Sequence, residues 1–415
     1  MSRELAWTGG QYSLFRAILG GYLAIHFAQL LPWSAETFSS AGMIPDASAS
    51  PLARLFPNVF LLCDAPWFVA TLFALAVVAG LLLAVGAWDR IAALFLWYLC
   101  ACLLGRNPLT NNPGLPYVGW MLVAHALIPG APYGSWKARG RVDPDGGWRF
   151  PWPLFFGAWI LMALGYGYSG ITKLAAPSWV DGSAFARVLE NPLARPTWLR
   201  EALLGLPEPL LRVATWSALA AEIAFPLLAL LARTRCLAWL MLLAMHFGLL
   251  TLVDFADLSF GMVMLHLFTF DPAWLKPKPA GSAPDHVFYD GSCGLCHRAV
   301  RFVLAEDRAA RFLFSPLQGA TIRTFVDDER RATLPDSMVV RAGDGRLLMH
   351  SDAWVHMLRG LGGAWRALGG VVRLVPRPLR DVVYRCVARV RRRIFAAPKD
   401  ACPLLPKHLR ERFVP

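Results

Sequence analysis

A chain of 415 residues that is 56% hydrophobic, holds 17 tryptophans and 25 phenylalanines, and has a mean hydropathy of +0.44 is too apolar for an ordinary soluble domain. Its net charge of +13 does not mark a nucleic-acid binder: the arginines sit in short loops between apolar runs and in the stretch Arg373–Arg393, the pattern of a surface facing anionic lipid. The eight cysteines do not form the framework of a secreted disulfide-rich domain, since Cys63 stands alone in a loop and Cys100, Cys102 and Cys236 lie in apolar runs.

Up to about Pro272 the chain is a succession of apolar runs, and beyond it charge becomes dense. A spanning helix needs about 20 mostly apolar residues. The predicted spans are 14–32, 66–87, 89–105, 115–130, 153–173, 210–232, 236–253 and 257–271, about eight helices. The first run, Leu14–Trp33, lacks the small-residue cleavage site of a signal peptide. With the N-terminus inside, inner segments carry Arg3, Arg16, Arg90, Lys137, Arg139, Arg141, Arg149, Arg233, Arg235, Lys276 and Lys278. Outer loops carry Arg54, Arg106, Arg187, Arg195 and Arg200. Eleven against five is the direction of the positive-inside rule, and an even span count puts the C-terminal domain in the cytoplasm.

Inside the spans stand His26, His125, Glu222, His246 and His266. An ionisable group in hydrocarbon is costly and faces a cavity or a partner. Glu222 and the mid-span His246 are the candidates for function, against a hydrogen-bonded structural role for each histidine. Lys173 closes the fifth span, where composition alone reads it as a lysine reaching the outer interface beside Trp179. Ser169-Gly170-x-x-Lys173-Leu174 followed by Trp179-x-Asp181-Gly182-x-Ala184 resembles the horizontally transferred transmembrane (HTTM) domain, which is related to the membrane part of vitamin K-dependent γ-carboxylase. The resemblance extends over most of residues 10–272, including Arg106-Asn-Pro and the His246 span with Asp254–Gly261. It implies that Lys173 occupies the position of a base acting toward a reduced quinone, with a quinone-like or lipid ligand in the bundle. The chain has no large extracytoplasmic domain for a protein substrate, so glutamate carboxylation does not carry over.

Residues 1–273 thus read as the membrane domain and 274–285 as a linker, with Lys276-Pro-Lys-Pro-Ala-Gly-Ser-Ala-Pro284 at its centre. From 286 to 415 the periodicity is that of a small α/β domain. His286–Asp290 predicts a strand and Ser292–Leu304 a helix with Ser292 as cap. Arg311–Ser315 predicts a second strand, 319–329 a helix, Ser337–Arg341 and Arg346–His350 a strand pair, and helices follow from Ser351. Strand, helix, strand, hairpin, helix is a thioredoxin-like order. Cys293 falls on the first helical turn, where free N–H groups and the helix dipole favour a thiolate, and Cys296 one turn on is placed to resolve a mixed disulfide. The competing reading is half a zinc site completed by His297, Cys386 or Cys402.

Tyr289-Asp-Gly-Ser-Cys-Gly-Leu-Cys296 resembles the defining motif of the DCC family of thiol–disulfide oxidoreductases. The likeness continues through Ser351–Ala353, Val375–Tyr384 and Asp400–Pro403, and covers 286–413. It implies a family role for Asp290, either relaying the proton of the resolving thiol or forming an Asp-Gly turn. The basic run Arg389–Arg393 is less aromatic than the family pattern, and Pro335 is read as the loop proline bordering the cysteines or as a plain turn. Residues 364–396 are amphipathic and arginine-rich, which suits a helix lying on anionic headgroups or a solvated domain face.

The expected protein is therefore a multi-pass cell-membrane thiol–disulfide oxidoreductase, with a disulfide-containing protein or small thiol as substrate, lipids as neighbours and no nucleic acid. The dithiol domain needs no cofactor, and a quinone belongs to the stronger version in which the bundle is coupled to it. The alternatives are a transporter or lipid-handling protein with a regulatory cytoplasmic domain, and a membrane scaffold whose CxxC holds a metal.

Overall fold

Apolar stretches bounded by proline and glycine become helices here, because proline fits the first helical turn and glycine the left-handed cap. Pro66 opens one such helix, and Gly86, at φ 76°, closes it with its N–H on the carbonyls of Leu82 and Leu83. The computed structural model describes residues 6–254, 256–279, 283–332, 334, 338–394 and 406–415. The expectations for Pro335 and for Asp400–Pro403, Cys402 included, fall outside the described residues.

The chain divides into two compact units. One comprises Phe15–Ile128 and Pro151–Phe270 and is helical. The long helices are α1 (Gly9–Leu30), α2 (Pro66–Val85), α3 (Asp89–Arg106), α4 (Leu115–Leu127), α5 (Trp152–Lys173), α6 (Glu208–Leu230), α7 (Arg235–Leu252) and α8 (Ala256–Thr269). They occupy the eight apolar segments picked out in the sequence. Among the described residues, five helical stretches are long and apolar enough to cross a membrane: Gly9–Phe38, α2, α5, α6 and α7. The helix α3 carries Asp89, Arg90 and Arg106, while α4, at 13 residues, is only about 20 Å long. Charge inside this unit is paired: Arg16 and His125 lie 3.5 and 3.6 Å from Asp89, and His26 lies 3.1 Å from Asp257. Arg106 was expected among the outer-loop charges. It is 1% exposed, donating to the carbonyls of Ser39 and Ile44 and pairing with Asp64 at 3.1 Å.

The second unit comprises Met1–Leu14, Pro129–Phe150 and Asp271–Pro415. Its centre is a small α/β domain with a four-stranded sheet in the order β2-β1-β3-β4. The elements are β1 (Asp285–Tyr289), α9 (Gly294–Glu306), β2 (Phe312–Pro316), β3 (Val339–Arg341), β4 (Leu347–Met349), α10 (His350–Leu361), α11 (Gly363–Leu374) and α12 (Arg377–Ile394). Strand β1 pairs parallel to β2, with Val287 opposite Phe314, and antiparallel to β3, with Val287 opposite Val340. Alternation sends Val287 and Tyr289 to one face, where they meet Val300, Val303, Phe314 and Met357. Phe288 goes to the other face with Ile322, Val326 and Val339. The expected helix at 319–329 is instead a 3₁₀ turn, Thr321–Thr324, and a short helix, Asp328–Ala332. Threonine competes with helix propagation here: the Thr324 hydroxyl donates to the Thr321 carbonyl at 2.7 Å.

Two buried carboxylates hold this unit together. Glu306, at the end of α9, accepts from the Thr8 hydroxyl, the Gly10 N–H at 2.8 Å and the Trp365 indole at 2.5 Å. Burial nonetheless pushes its carboxyl above the ordinary value. Asp285 accepts from Arg311 at 2.6 Å, His356 at 2.9 Å and the Gly343 N–H at 2.7 Å. Burial alone would raise this group, but His356, Gly343 and Arg311 together hold it below the usual carboxylate range. Residues 412–414 run along β2, where Phe314 N–H donates to the Arg412 carbonyl and Val414 N–H to the Phe314 carbonyl, so the outer edge of the sheet is covered.

Removing one partner of a buried pair leaves an uncompensated charge, so Asp285→Asn is expected to destabilise the C-terminal domain by about 3 kcal/mol. Limited proteolysis across a denaturant series measures it. Because the folded pKa lies below the unfolded one, this contribution is present above the unfolded carboxylate pKa of about 3.9. It is lost as pH falls through the folded value.

Candidate active site

The turn from β1 into α9 is built by Asp290. Its Oδ1 accepts from the Ser292 N–H at 2.9 Å and from the Ser292 hydroxyl at 2.7 Å, and its carbonyl accepts from the Cys293 N–H at 3.2 Å. With the serine hydroxyl taken up this way, the N-cap moves from the expected Ser292 to Cys293, whose side chain makes no cap hydrogen bond. The Cys293 carbonyl accepts from the His297 N–H at 3.1 Å, so the first helical turn closes over Cys296. The His297 Nε2 lies 2.8 Å from the Gly291 carbonyl, which fixes the ring against the turn.

Both thiols are buried, Cys293 at 2% and Cys296 at 5% exposure, among Val287, Tyr289, Ala299 and Phe314. Sequence spacing put the pair at the helix start but gave no sign that the nucleophile position is covered. Cys296 lines an apolar cavity of about 500 Å³ walled by α9 through Leu295 and Ala299, by α10 through Trp354, and by α11 and α12 through Val372, Leu379 and Val383. Among the described residues no group of three His, Cys, Asp or Glu side chains is placed to hold a metal ion.

In the helical unit, Lys173 Nζ lies 2.6 Å from both carboxylate oxygens of Glu222 and 4.4 Å above the Trp179 ring. Glycine allows it: a Cβ at Gly170 would stand 2.9 Å from the Ile223 nitrogen, so α5 and α6 approach at backbone distance. His246 bonds elsewhere, its Nε2 2.7 Å from the Tyr166 hydroxyl, with the His266 ring centroid 5.8 Å away. Of the three membrane candidates, the structure joins Lys173 to Glu222 and gives His246 to Tyr166. Tyr166, Asp89 and Asp257 were not singled out in the sequence. The signal for the two aspartates was their place on the first turn of an apolar segment.

A family model described as DCC1-like thiol-disulfide oxidoreductase matches residues 287–397. The chain is 32% identical over 129 residues to the uncharacterized protein YuxK of Bacillus subtilis, covering 31% of this chain and 93% of that one. It is 28% identical over 134 residues to the DCC family protein At1g52590, chloroplastic, of Arabidopsis thaliana, covering 32% of this chain and 77% of that one. No solved structure matches.

Burial governs thiol access. In the reduced native protein, iodoacetamide is expected to modify the exposed Cys386 about tenfold or more faster than Cys293 or Cys296. Peptide mass spectrometry over a time course reads the order, and equal rates would contradict the buried placement.

Proposed function

Through its C-terminal domain the chain belongs to the DCC1-like thiol-disulfide oxidoreductase family, and from that premise we propose that it is a membrane-bound thiol–disulfide oxidoreductase of the protein-disulfide reductase type. The observation that carries this reading is the CxxC pair at the start of α9, with Cys293 at the N-cap and Cys296 in the first turn. The order β-α-β followed by a hairpin and helix supports a thioredoxin-like fold. The Cys293 thiolate attacks one sulfur of a substrate disulfide, forming a mixed disulfide and releasing the other sulfur as a thiolate. Cys296 then attacks the Cys293 sulfur, expels the second substrate thiolate and leaves a Cys293–Cys296 disulfide. Two electrons pass to the substrate, whose two thiolates take up two protons, and an external dithiol reductant returns the pair to its starting state. Asp290 positions the pair through the Oδ1 bonds to Ser292, and relaying the proton of the resolving thiol is its second proposed role.

The five long apolar helices support membrane attachment, and the charge distribution supports about eight spans with the dithiol domain in the cytoplasm. The helical unit is read as an HTTM domain. Its Lys173–Glu222 pair, at 2.6 Å, is the candidate second site for a quinone. In that version Lys173 and Glu222 would hold the quinone, which would supply a two-electron, two-proton acceptor for the dithiol.

Purified full-length protein should reduce a protein disulfide at the expense of dithiothreitol. Cys293→Ser should drop the rate to that of dithiothreitol alone, Cys296→Ser should accumulate a mixed disulfide visible on non-reducing gels, and Lys173→Ala should leave the rate unchanged. Full activity in Cys293→Ser would remove the reading. In intact cells, a membrane-impermeant thiol reagent should leave the exposed Cys386 of the same domain unmodified, while a permeant one modifies it. Labelling by the impermeant reagent would invert the topology.

A further inference from the structure

A second cavity, of about 260 Å³, adjoins the one at Cys296, and Arg380 stands in the wall of both. Lys278, Arg346, His356, Arg359 and Arg373 also line it, with Asp352 as the single carboxylate. The local anions are already engaged. Asp352 pairs with Arg377 at 3.1 Å and Arg380 at 2.5 Å, Asp344 with Arg346 at 2.7 Å, and Asp285 with His356 and Arg311. Among the described residues this leaves the side chains of Lys278, Arg359 and Arg373 without a carboxylate partner. Burial, with Arg373 and Arg366 alongside, lowers the Arg359 pKa, the mark of crowded like charge. Arg380 is the sharpest sign. One of its nitrogens serves Asp352, whereas Nε and Nη1 are buried with no hydrogen-bond partner among the described residues. Buried guanidinium donors are costly unless an acceptor meets them, and a phosphate, which matches their fork as a carboxylate does, has oxygens to spare for the neighbouring cations.

The neighbouring cavity is walled mostly by Leu, Val, Ala, Met and Trp side chains, and its volume lies within the roughly 300–1,000 Å³ of ligand sites. A compact basic pocket that shares Arg380 with a neighbouring apolar one is complementary to a molecule with a phosphate at one end and a hydrocarbon chain at the other. We propose that these two cavities form one site for an anionic phospholipid, its phosphate held by Arg359, Arg373 and Arg380 and its acyl chain lying against Cys296. This assignment is independent of the thiol chemistry, because it is read by equilibrium binding and stands whether or not the protein reduces disulfides.

The test is calorimetric titration of the full-length protein in maltoside detergent with dihexanoyl phosphatidate, dihexanoyl phosphatidylcholine or inorganic phosphate. Phosphatidate should bind at least tenfold more tightly than either of the others, and inorganic phosphate should compete with it. Arg359→Gln with Arg373→Gln should weaken phosphatidate at least tenfold, while Arg373→Lys, which keeps the charge and the fold, should stay within about threefold. Val383→Trp, which fills the apolar cavity, should weaken phosphatidate and leave inorganic phosphate as it was. Equal binding of phosphatidate and phosphatidylcholine, or an unaffected double glutamine variant, would overturn the site. Inorganic phosphate binding as tightly as phosphatidate would show a free-anion site and overturn the lipid assignment.

Discussion

The redox pair depends on one turn. Asp290 gathers the Ser292 N–H and hydroxyl onto a single carboxylate oxygen, and this fixes where strand β1 ends and where helix α9 begins. A helix has its free N–H groups only at its start, so displacing the cap by one residue would rotate both sulfurs by about 100° around the axis. Everything downstream inherits that register. Ala299, Val300 and Val303 face the sheet because Cys293 holds the cap, and Cys296 reaches the cavity wall for the same reason.

A second rule runs through both units: a buried charge is kept only in company. In the helical unit Asp89 collects Arg16 and His125, and Glu222 takes Lys173. In the α/β unit Asp285 serves Arg311, His356 and Gly343, and Asp307 takes Arg412 at 2.5 Å. These ties restrict which helix faces meet, because each shortens to hydrogen-bond distance in one arrangement only. Arg380 departs from this habit, since its Nε and Nη1 are buried without a hydrogen-bond partner among the described residues, and the departure gives the basic cavity its meaning.

Much of this was legible in the residues. The strand–helix–strand–hairpin order followed from period and turn chemistry, and Cys293–x–x–Cys296 at a helix start named its own chemistry. The apolar runs marked out helices because nothing else satisfies a backbone in that composition. What spacing did not reveal was partnership. Lys173 and Glu222 were each conspicuous, but their meeting depends on Gly170 letting two helices close to backbone distance. Arg106 carries the same charge whether it sits in a loop or is buried under three carbonyl and carboxylate partners, so composition assigned it to the surface. The two cavities arise from how α10, α11 and α12 cross, and no local pattern encodes a crossing angle.

The bonds at Glu306 also set an order of events. Thr8 and Gly10 are 298 and 296 residues from the carboxylate they serve, and Gln11 is 353 from the Ala364 N–H it accepts. At ribosomal speed, synthesis of the intervening chain takes on the order of half a minute. For that interval Thr8, Gly10 and Gln11 have been made, while Glu306 and Ala364 have not. The α/β unit therefore cannot reach its final form as an independent late module. It closes only when Thr8, Gly10 and Gln11 meet Glu306 and Ala364, so the fold is completed across 296 to 353 residues of chain.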